Sequence, residues 1–239
     1  MPHRSDKPFH FKQFDVFQRR SAMRVGTDAV LLGAWASVEN AKTILDVGTG
    51  TGVIALICAQ RNAEAIIEAI DIDEGSVEDA RENFTASKWS DRLKLHWGDY
   101  RKIISTNKFD LIISNPPYFT DSLRPSNPTR NTARHDDSLP ADAFIQQTKT
   151  LLAPTGRLAL ILPTSELERW VKETAAVQLK PVRICRVHTL AYKDASRAMI
   201  EFAFNHPTEP SMESLLIEKS PGEKSEAYKL LIRDFYTKW

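Results

Sequence analysis

Cysteine is scarce: the 239 residues contain two, Cys58 and Cys185, 127 positions apart in apolar stretches. That excludes a disulfide framework and a CxxC metal site, and both positions read as buried, reduced thiols. Long hydrophobic runs are missing as well. The longest, Ala29 to Ala36, has eight residues, far short of the roughly 18 to 20 that a membrane span needs. The charged start, Met1 to Lys7, leads into Phe9 and Phe11 without an apolar segment, so no secretory signal is expected and the protein is expected in the cytoplasm, with no membrane and no obligate protein partner. Net charge is small too, +1. With 42% hydrophobic and 26% charged residues, the composition is that of a globular protein, and the length suits one α/β domain with appendages.

The small net charge conceals a division along the chain. Glu64 to Glu82 holds eight acids and one base, whereas Met1 to Val30 holds six Lys/Arg against three acids. Gln178 to His206 has five bases and two acids, and Thr120 to His135 three arginines and one acid. A run of this kind is ordinarily a solvated face. Three basic segments around an acidic middle suggest in addition a polyanion approaching one side of the molecule.

From Thr43 onward, β-branched runs alternate with helical patterns, as in βαβ units around a parallel sheet. Strands are predicted at Thr43–Val47, Ile66–Ile70, Leu93–Trp97, Phe109–Ser114 and Arg157–Leu162, the last after a turn at Pro154–Gly156. Helices are predicted at Gly52–Arg61, Glu74–Ser87, Ala141–Leu152 and Glu166–Val177, with Asp73 capping the second. Val182–Leu190 and Ala198–Phe204 read as an antiparallel hairpin at the sheet edge, and Ser225–Tyr236 as a terminal amphipathic helix. The expected organisation is a basic extension and helix over 1–40, the main domain over 41–205, and a strand and helix appendage over 206–239.

Glycine is the other scarce residue, nine in all, yet three fall in Asp46-Val47-Gly48-Thr49-Gly50-Thr51-Gly52. A strand ending in such a turn and opening a helix lets backbone approach a ligand and offers free N–H groups. Asp46 could receive a ligand's ammonium group. Gly50-x-Gly52-x-x-Ala55 also satisfies the weaker form of the dinucleotide fingerprint, which keeps a nicotinamide-dependent oxidoreductase open. Asp71, 19 residues past Gly52, would hold ribose hydroxyls in either case. Asp99, after the third strand, could accept a hydrogen bond from an adenine amino group, or could be a plain turn residue.

Together these features resemble the class I S-adenosylmethionine-dependent methyltransferases over roughly Thr43 to Leu162. The resemblance implies an α/β, Rossmann-like fold with a mostly parallel seven-stranded sheet and an antiparallel edge hairpin. It also implies S-adenosylmethionine as cofactor: Asp46 and the backbone of Gly48, Gly50 and Gly52 beside the methionine moiety, Asp71 on the ribose, Asp99 on the adenine amino group, and Ile72 and Tyr100 flanking the ring.

Asn115-Pro116-Pro117-Tyr118 follows the fourth strand, at the end where open α/β sheets place ligands. A Pro-rich turn is the bland reading. The chemical one starts from a planar amino or amide nitrogen, a poor nucleophile because its lone pair is delocalised. If the Asn115 side-chain oxygen and the Pro116 carbonyl each accept one N–H, the lone pair is aimed at the methyl group and the developing positive charge is stabilised. The prolines remove donors and stiffen the turn, and Tyr118 would stack on the acceptor. No base is needed beforehand, since the nitrogen turns acidic once alkylated. The motif matches methyltransferases acting on adenine N6, cytosine N4 or a release-factor glutamine amide.

The stretch Phe14 to Trp35 favours the first of these, for it resembles the start of bacterial methyltransferases acting on N6 of the adenine just 3′ of the anticodon (position 37) in a valine tRNA. Weaker similarity lies in Arg197–Phe204 and Asp234–Tyr236. The implied partner is tRNA, whose loop bases can be splayed and stacked while its phosphates attract cations. Arg19, Arg20, Arg24, Arg130 and Arg134 are the candidate phosphate contacts, and His135 reads as a loop residue. An RNA-binding protein with a vestigial cofactor fold is the third reading, and the intact Asn115 motif conflicts with it.

Overall fold

The computed structural model describes residues 7–116, 140–204 and 209–237. It opens with two short antiparallel strands, β1 (Phe9–His10) and β2 (Asp15–Val16), and helix α1 (Thr27–Trp35). The alternating part runs β3 (Thr43–Val47), α2 (Val53–Arg61), β4 (Ile66–Asp71), α3 (Glu74–Ala86), β5 (Leu93–Trp97) and β6 (Phe109–Ser114). After it come α4 (Ala141–Leu151), β7 (Leu152–Pro163), α5 (Leu167–Ala175), β8 (Leu179–Leu190), β9 (Arg197–Phe204), β10 (Ser211–Ser220), β11 (Glu223–Lys224) and α6 (Glu226–Ile232). None of the described helices is long and apolar enough to cross a membrane.

The sheet has nine strands in the order β11-β10-β8-β9-β7-β6-β3-β4-β5. The seven from β8 to β5 are the expected mostly parallel sheet, with β9 antiparallel to both neighbours. Two expectations need correction. The β8–β9 hairpin is not the edge, because β10 pairs in parallel with β8 and β11 follows it; the added strand satisfies backbone groups that β8 would otherwise leave open. Nor does a turn at Pro154–Gly156 precede β7. The strand runs through it, the register jumping from Phe109↔Leu152 to Leu111↔Arg157, so the surplus residues are absorbed as a bulge, where a proline without an N–H and a flexible glycine are tolerated.

Alternate residues of each inner strand feed two cores. Ile44, Leu111, Ile113, Ala159 and Ile161 pack with α1, α2 and α6 on one face. Leu45, Ile112, Leu158, Leu160 and Leu162 pack with α4 and α5 on the other. A strand buried on both faces carries apolar residues throughout, which is why β6 is nearly all apolar. Cys58 and Cys185 are buried and unbridged, as expected.

The charge division has a structural counterpart. The basic segment before α1 lies along acidic α3. Arg19 meets Glu82 at 3.2 Å, and Arg20 meets Glu78 at 3.0 Å, Asp79 at 3.2 Å and Glu82 at 3.3 Å. Asp79 is fully buried and accepts hydrogen bonds from the Arg20 N–H (2.9 Å), the Ser21 N–H (2.8 Å) and the Ser21 hydroxyl (2.8 Å). Acids crowded on one helix repel each other; here the extension neutralises them and is itself fixed in place. The strand order reverses at β3, flanked by β4 on one side and β6 on the other. The crevice beyond the carboxyl ends of those strands is where an open α/β sheet binds its ligand.

Candidate active site

A cavity of about 530 Å³ opens at that crevice, within the range of pockets that enclose small ligands. Its floor is the turn after β3. Gly48 and Gly50 have φ of +68° and +56°, left-handed values that side chains disfavour, and a Cβ at either would meet no atom within 4 Å. The cavity thus reaches bare backbone. The turn is tied to β4, since the Gly48 and Thr49 N–H groups both donate to the Ile70 carbonyl, at 2.9 and 3.1 Å.

Gly52 has a different task. It is also left-handed, with φ +81°, but a Cβ there would lie 2.5 Å from Cε1 of Phe84, and it does not line the cavity. Its smallness lets α3 close on the start of α2. Asp46 is likewise set back from the cavity. It is fully buried, and its Oδ2 accepts the Thr49 hydroxyl at 2.6 Å and the Ala55 N–H at 3.2 Å. Its Oδ1 has no hydrogen-bond partner among the described residues. Burial pushes this carboxyl up to about 7, the Thr49 and Ala55 donors opposing the rise.

Asp71 lines the wall after β4, with Oδ2 accepting the Gly50 N–H at 2.7 Å and Oδ1 the Asp73 N–H at 2.9 Å. Burial raises its carboxyl above the usual range against these donors. Asp73 caps α3 as predicted, accepting the Ser76 N–H at 2.8 Å. Ile72 lines the rim and is 45% exposed.

After β5, Asp99 lines the cavity and accepts the Arg101 N–H at 2.9 Å, with the guanidinium against the carboxylate at 2.8 Å. Arg101 holds Asp99 below the ordinary carboxylate value. Tyr100 borders the cavity while its ring packs inward, 5.1 Å from Phe144, and its hydroxyl lies 2.9 Å from that of Thr148 on α4. At the end of β6 the Ser114 hydroxyl donates to the Val47 carbonyl at 2.7 Å, fastening this strand end beside the glycine turn. Asn115 and Pro116 therefore line the same cavity. Pro117, Tyr118, Arg130, Arg134 and His135 lie outside the described residues.

Of the described arginines named from the sequence, Arg24 lines the cavity, whereas Arg19 and Arg20 lie along α3 and do not. Apart from Arg24, sequence reasoning did not assign to the site the wall formed by Ala22, Met23 and Gly26–Ala29, nor Arg101. Asp28 in that wall accepts Arg197 Nε at 2.8 Å. A signal for the wall existed in Gly26-Thr27-Asp28, an extended residue followed by an acid in the first turn of α1. The lining carries four acids (Asp28, Asp71, Asp73, Asp99) against two bases (Arg24, Arg101), which suits a ligand with hydroxyls and positive charge better than a pyrophosphate.

A parallel sheet reversing at β3, a bare glycine turn and an acid after each of the next two strands are what the resemblance to the class I methyltransferases implies, and the chain belongs to the family described as methyltransferase small domain, whose model matches residues 15–172. It is 41% identical over 239 residues, covering 98% of this chain and 99% of the relative, to a protein of Christiangramia forsetii named tRNA1(Val) (adenine(37)-N6)-methyltransferase. It is 41% identical over 232 residues, 97% of this chain and 96% of the relative, to a protein of the same name from Vibrio vulnificus. Among solved structures, a protein of Agrobacterium tumefaciens described as a predicted O-methyltransferase aligns with a TM-score of 0.68 and 17% identity over 87% of this chain and 96% of that one. The ribosomal protein L11 methylase of Lactobacillus delbrueckii aligns at 0.53 with 20% identity over 74% and 77%. These two bear on the fold alone. The family closes the oxidoreductase alternative, and the packing of Gly52 against Phe84 removes the geometric basis of its fingerprint.

Proposed function

We propose that this chain transfers the methyl group of S-adenosylmethionine to N6 of the adenine at position 37, in the anticodon loop of a valine tRNA. One observation carries the reading: the glycine turn with its neighbouring acids and the Asn115–Pro116 end of β6 open into a single cavity. A cofactor floor and an amino-group acceptor site are thereby within reach of each other. The near full-length relatives bear a name for this reaction.

The residues fit the cofactor. Gly48 and Gly50 leave room above the backbone for the methionine moiety, Asp71 offers a carboxylate to ribose hydroxyls, Asp99 an acceptor to the adenine amino group, and Ile72 an apolar edge to the ring. Asp46 holds the turn from beneath through Thr49 and Ala55. When bound, S-adenosylmethionine supplies a sulfonium methyl as electrophile. Asn115 and Pro116 do the rest by accepting the two amino hydrogens of the adenine, which pulls the nitrogen lone pair out of conjugation and stabilises the charge that the nitrogen acquires. The proton leaves after transfer. Tyr118 stacks on the adenine. Arg24 at the cavity wall, with Arg130 and Arg134, meets phosphates; Arg19 and Arg20 support the wall rather than the RNA. The protein acts in the cytoplasm, where tRNA is modified.

The test is to incubate the protein with labelled S-adenosylmethionine and bulk tRNA and to locate the methylated nucleoside. N6-methyladenosine confined to the anticodon loop is expected. Methylglutamine in a release factor, or methylated duplex DNA with tRNA untouched, would remove the substrate assignment.

A further inference from the structure

The turn between β8 and β9, residues 191–196, takes no part in the cofactor cavity. β8 runs parallel to β6 and β7, because both it and β7 are antiparallel to β9, so this turn projects from the same end of the sheet as Asn115. Ser114 is level with Leu160, and Pro163 with Arg197. With about 4.8 Å between strands and about 3.3 Å per residue, the Arg197 end of the turn lies roughly 12 Å from Asn115 and the Leu190 end, which leads to Tyr192, roughly 22 Å. A few nucleotides of single strand cover that distance.

The turn is held rigidly. The Lys193 N–H donates to the Leu190 carbonyl at 3.0 Å, the Ser196 N–H to the Val187 carbonyl at 3.1 Å, and the Thr164 hydroxyl to the Ala195 carbonyl at 2.7 Å. His188 Nδ1 lies 3.0 Å from the Lys193 carbonyl. Next to it, Arg197 ties the strand to Asp28 in the cavity wall at 2.8 Å. At the tip of this fixed frame Tyr192 is 75% exposed. The fold gains little from burying it, since the turn is closed by backbone and hydroxyl contacts. Lys193 and Asp194 cancel in charge and the Arg197 guanidinium is engaged by Asp28, so the tip is not an electrostatic magnet. A single exposed aromatic is unremarkable in itself; one on a hydrogen-bonded turn that projects beyond the acceptor site at the same end of the sheet, and braced to its wall, has the form of a stacking platform.

We propose that Tyr192 stacks on a second base of the RNA acceptor, a few nucleotides from the adenine held at Asn115, and thereby positions the loop. This rests on reading the acceptor as RNA. Stacking is indifferent to base identity and releases no counterions, so Tyr192 contributes affinity without salt dependence.

Single-turnover methylation of tRNA transcripts at saturating S-adenosylmethionine tests it. Tyr192→Ala should raise the half-saturating tRNA concentration roughly tenfold, with the saturated rate, the melting temperature, cofactor affinity and salt slope unchanged. Tyr192→Phe, which keeps the ring, should behave as wild type. An alanine variant equal to wild type, or a phenylalanine variant as impaired as alanine, overturns the platform while wild-type methylation of tRNA leaves the function standing. A wild-type protein that methylates a protein glutamine and no RNA overturns both.

Discussion

Asp79 is the point through which the sequence's charge division reaches the active site, and Asp79→Ala should show it. The variant leaves the buried Ser21 N–H and Ser21 hydroxyl without an acceptor and removes one from the Arg20 N–H. Each buried donor left unsatisfied costs about 1 to 3 kcal/mol, so the docked segment should lose about 2 to 5 kcal/mol. The Arg20 ion pairs contribute far less, because that guanidinium is 42% exposed and such pairs are worth about 0 to 1 kcal/mol. Arg20→Gln should therefore be nearly silent. The segment from Arg20 leads into the wall formed by Ala22–Ala29, so its release should also weaken S-adenosylmethionine binding although Asp79 touches no part of the cavity. Hydrogen exchange in residues 17–26 and cofactor titration calorimetry read the two effects. Burial raises the Asp79 carboxyl, but the Ser21 and Arg20 donors outweigh it and leave the group lowered, so its contribution is present at neutral pH and lost as pH falls through the folded-state value. If Arg20→Gln cost as much as Asp79→Ala, or if cofactor affinity were untouched while exchange in the segment rose, the hydrogen-bonded anchor would not be what holds the wall.

Three further outcomes follow from the cavity. Gly52→Ala should lower stability by about 2 to 4 kcal/mol, from the left-handed backbone and the collision with Phe84, whereas Gly50→Ala should cost about 1 kcal/mol and mainly weaken the cofactor; urea unfolding beside titration separates them. Asp71→Ala should weaken S-adenosylmethionine by about 1.5 to 3 kcal/mol, and unchanged calorimetric affinity would remove it from the site. Asn115→Ala should spare cofactor binding and reduce single-turnover methyl transfer by about 100- to 1,000-fold; weak cofactor binding with normal chemistry would reverse its role.

Much of this architecture is legible before any coordinates. The ends of β3, β5 and β6 coincide with the predicted ones: β3 and β6 are buried and read as largely apolar runs, whereas β5, at the sheet edge, shows the apolar/polar alternation of a half-exposed strand. Gly48, Gly50, Asp71, Ile72, Asp99, Tyr100, Asn115 and Pro116 all line one cavity because each follows a parallel strand at its carboxyl end. What was hidden depends on tertiary contact. Gly48 and Gly52 read alike in sequence, yet one faces open space and the other the ring of Phe84. Arg19 and Arg20 read as free cations because pairing with α3, some sixty residues on, leaves no local mark. The wall at Ala22–Ala29 and the pairing of β10 with β8 are long-range matters of the same kind.

Asp46 provides a sharper division between a ligand contact and a support. As a direct ammonium partner it would have to be ionised and reach the cavity. Instead it lies beneath the turn, one oxygen engaged by Thr49 and Ala55, the other buried without a hydrogen-bond partner among the described residues, with burial raising it to about 7. Between the unfolded value, about 3.9, and that folded value, the native state holds one more proton than the unfolded chain. Stability therefore falls as pH rises through this window, by about 1.4 kcal/mol per unit, and levels off above the folded value. From pH 5 to 8 the contribution amounts to roughly 2 to 3 kcal/mol. Asp46→Asn resembles the protonated form, keeping an oxygen for Thr49 and Ala55 and placing an N–H where the acid carries its proton. The stability difference between wild type and variant, measured by urea unfolding in steps across pH 5 to 8, should slope accordingly, and S-adenosylmethionine affinity at pH 6 should be nearly the same in both. A level difference across that window would mean that Asp46 is ionised throughout. A large affinity loss at pH 6 would mean that the carboxylate itself meets the cofactor, and Asp46 would return from the support of the turn to the binding site.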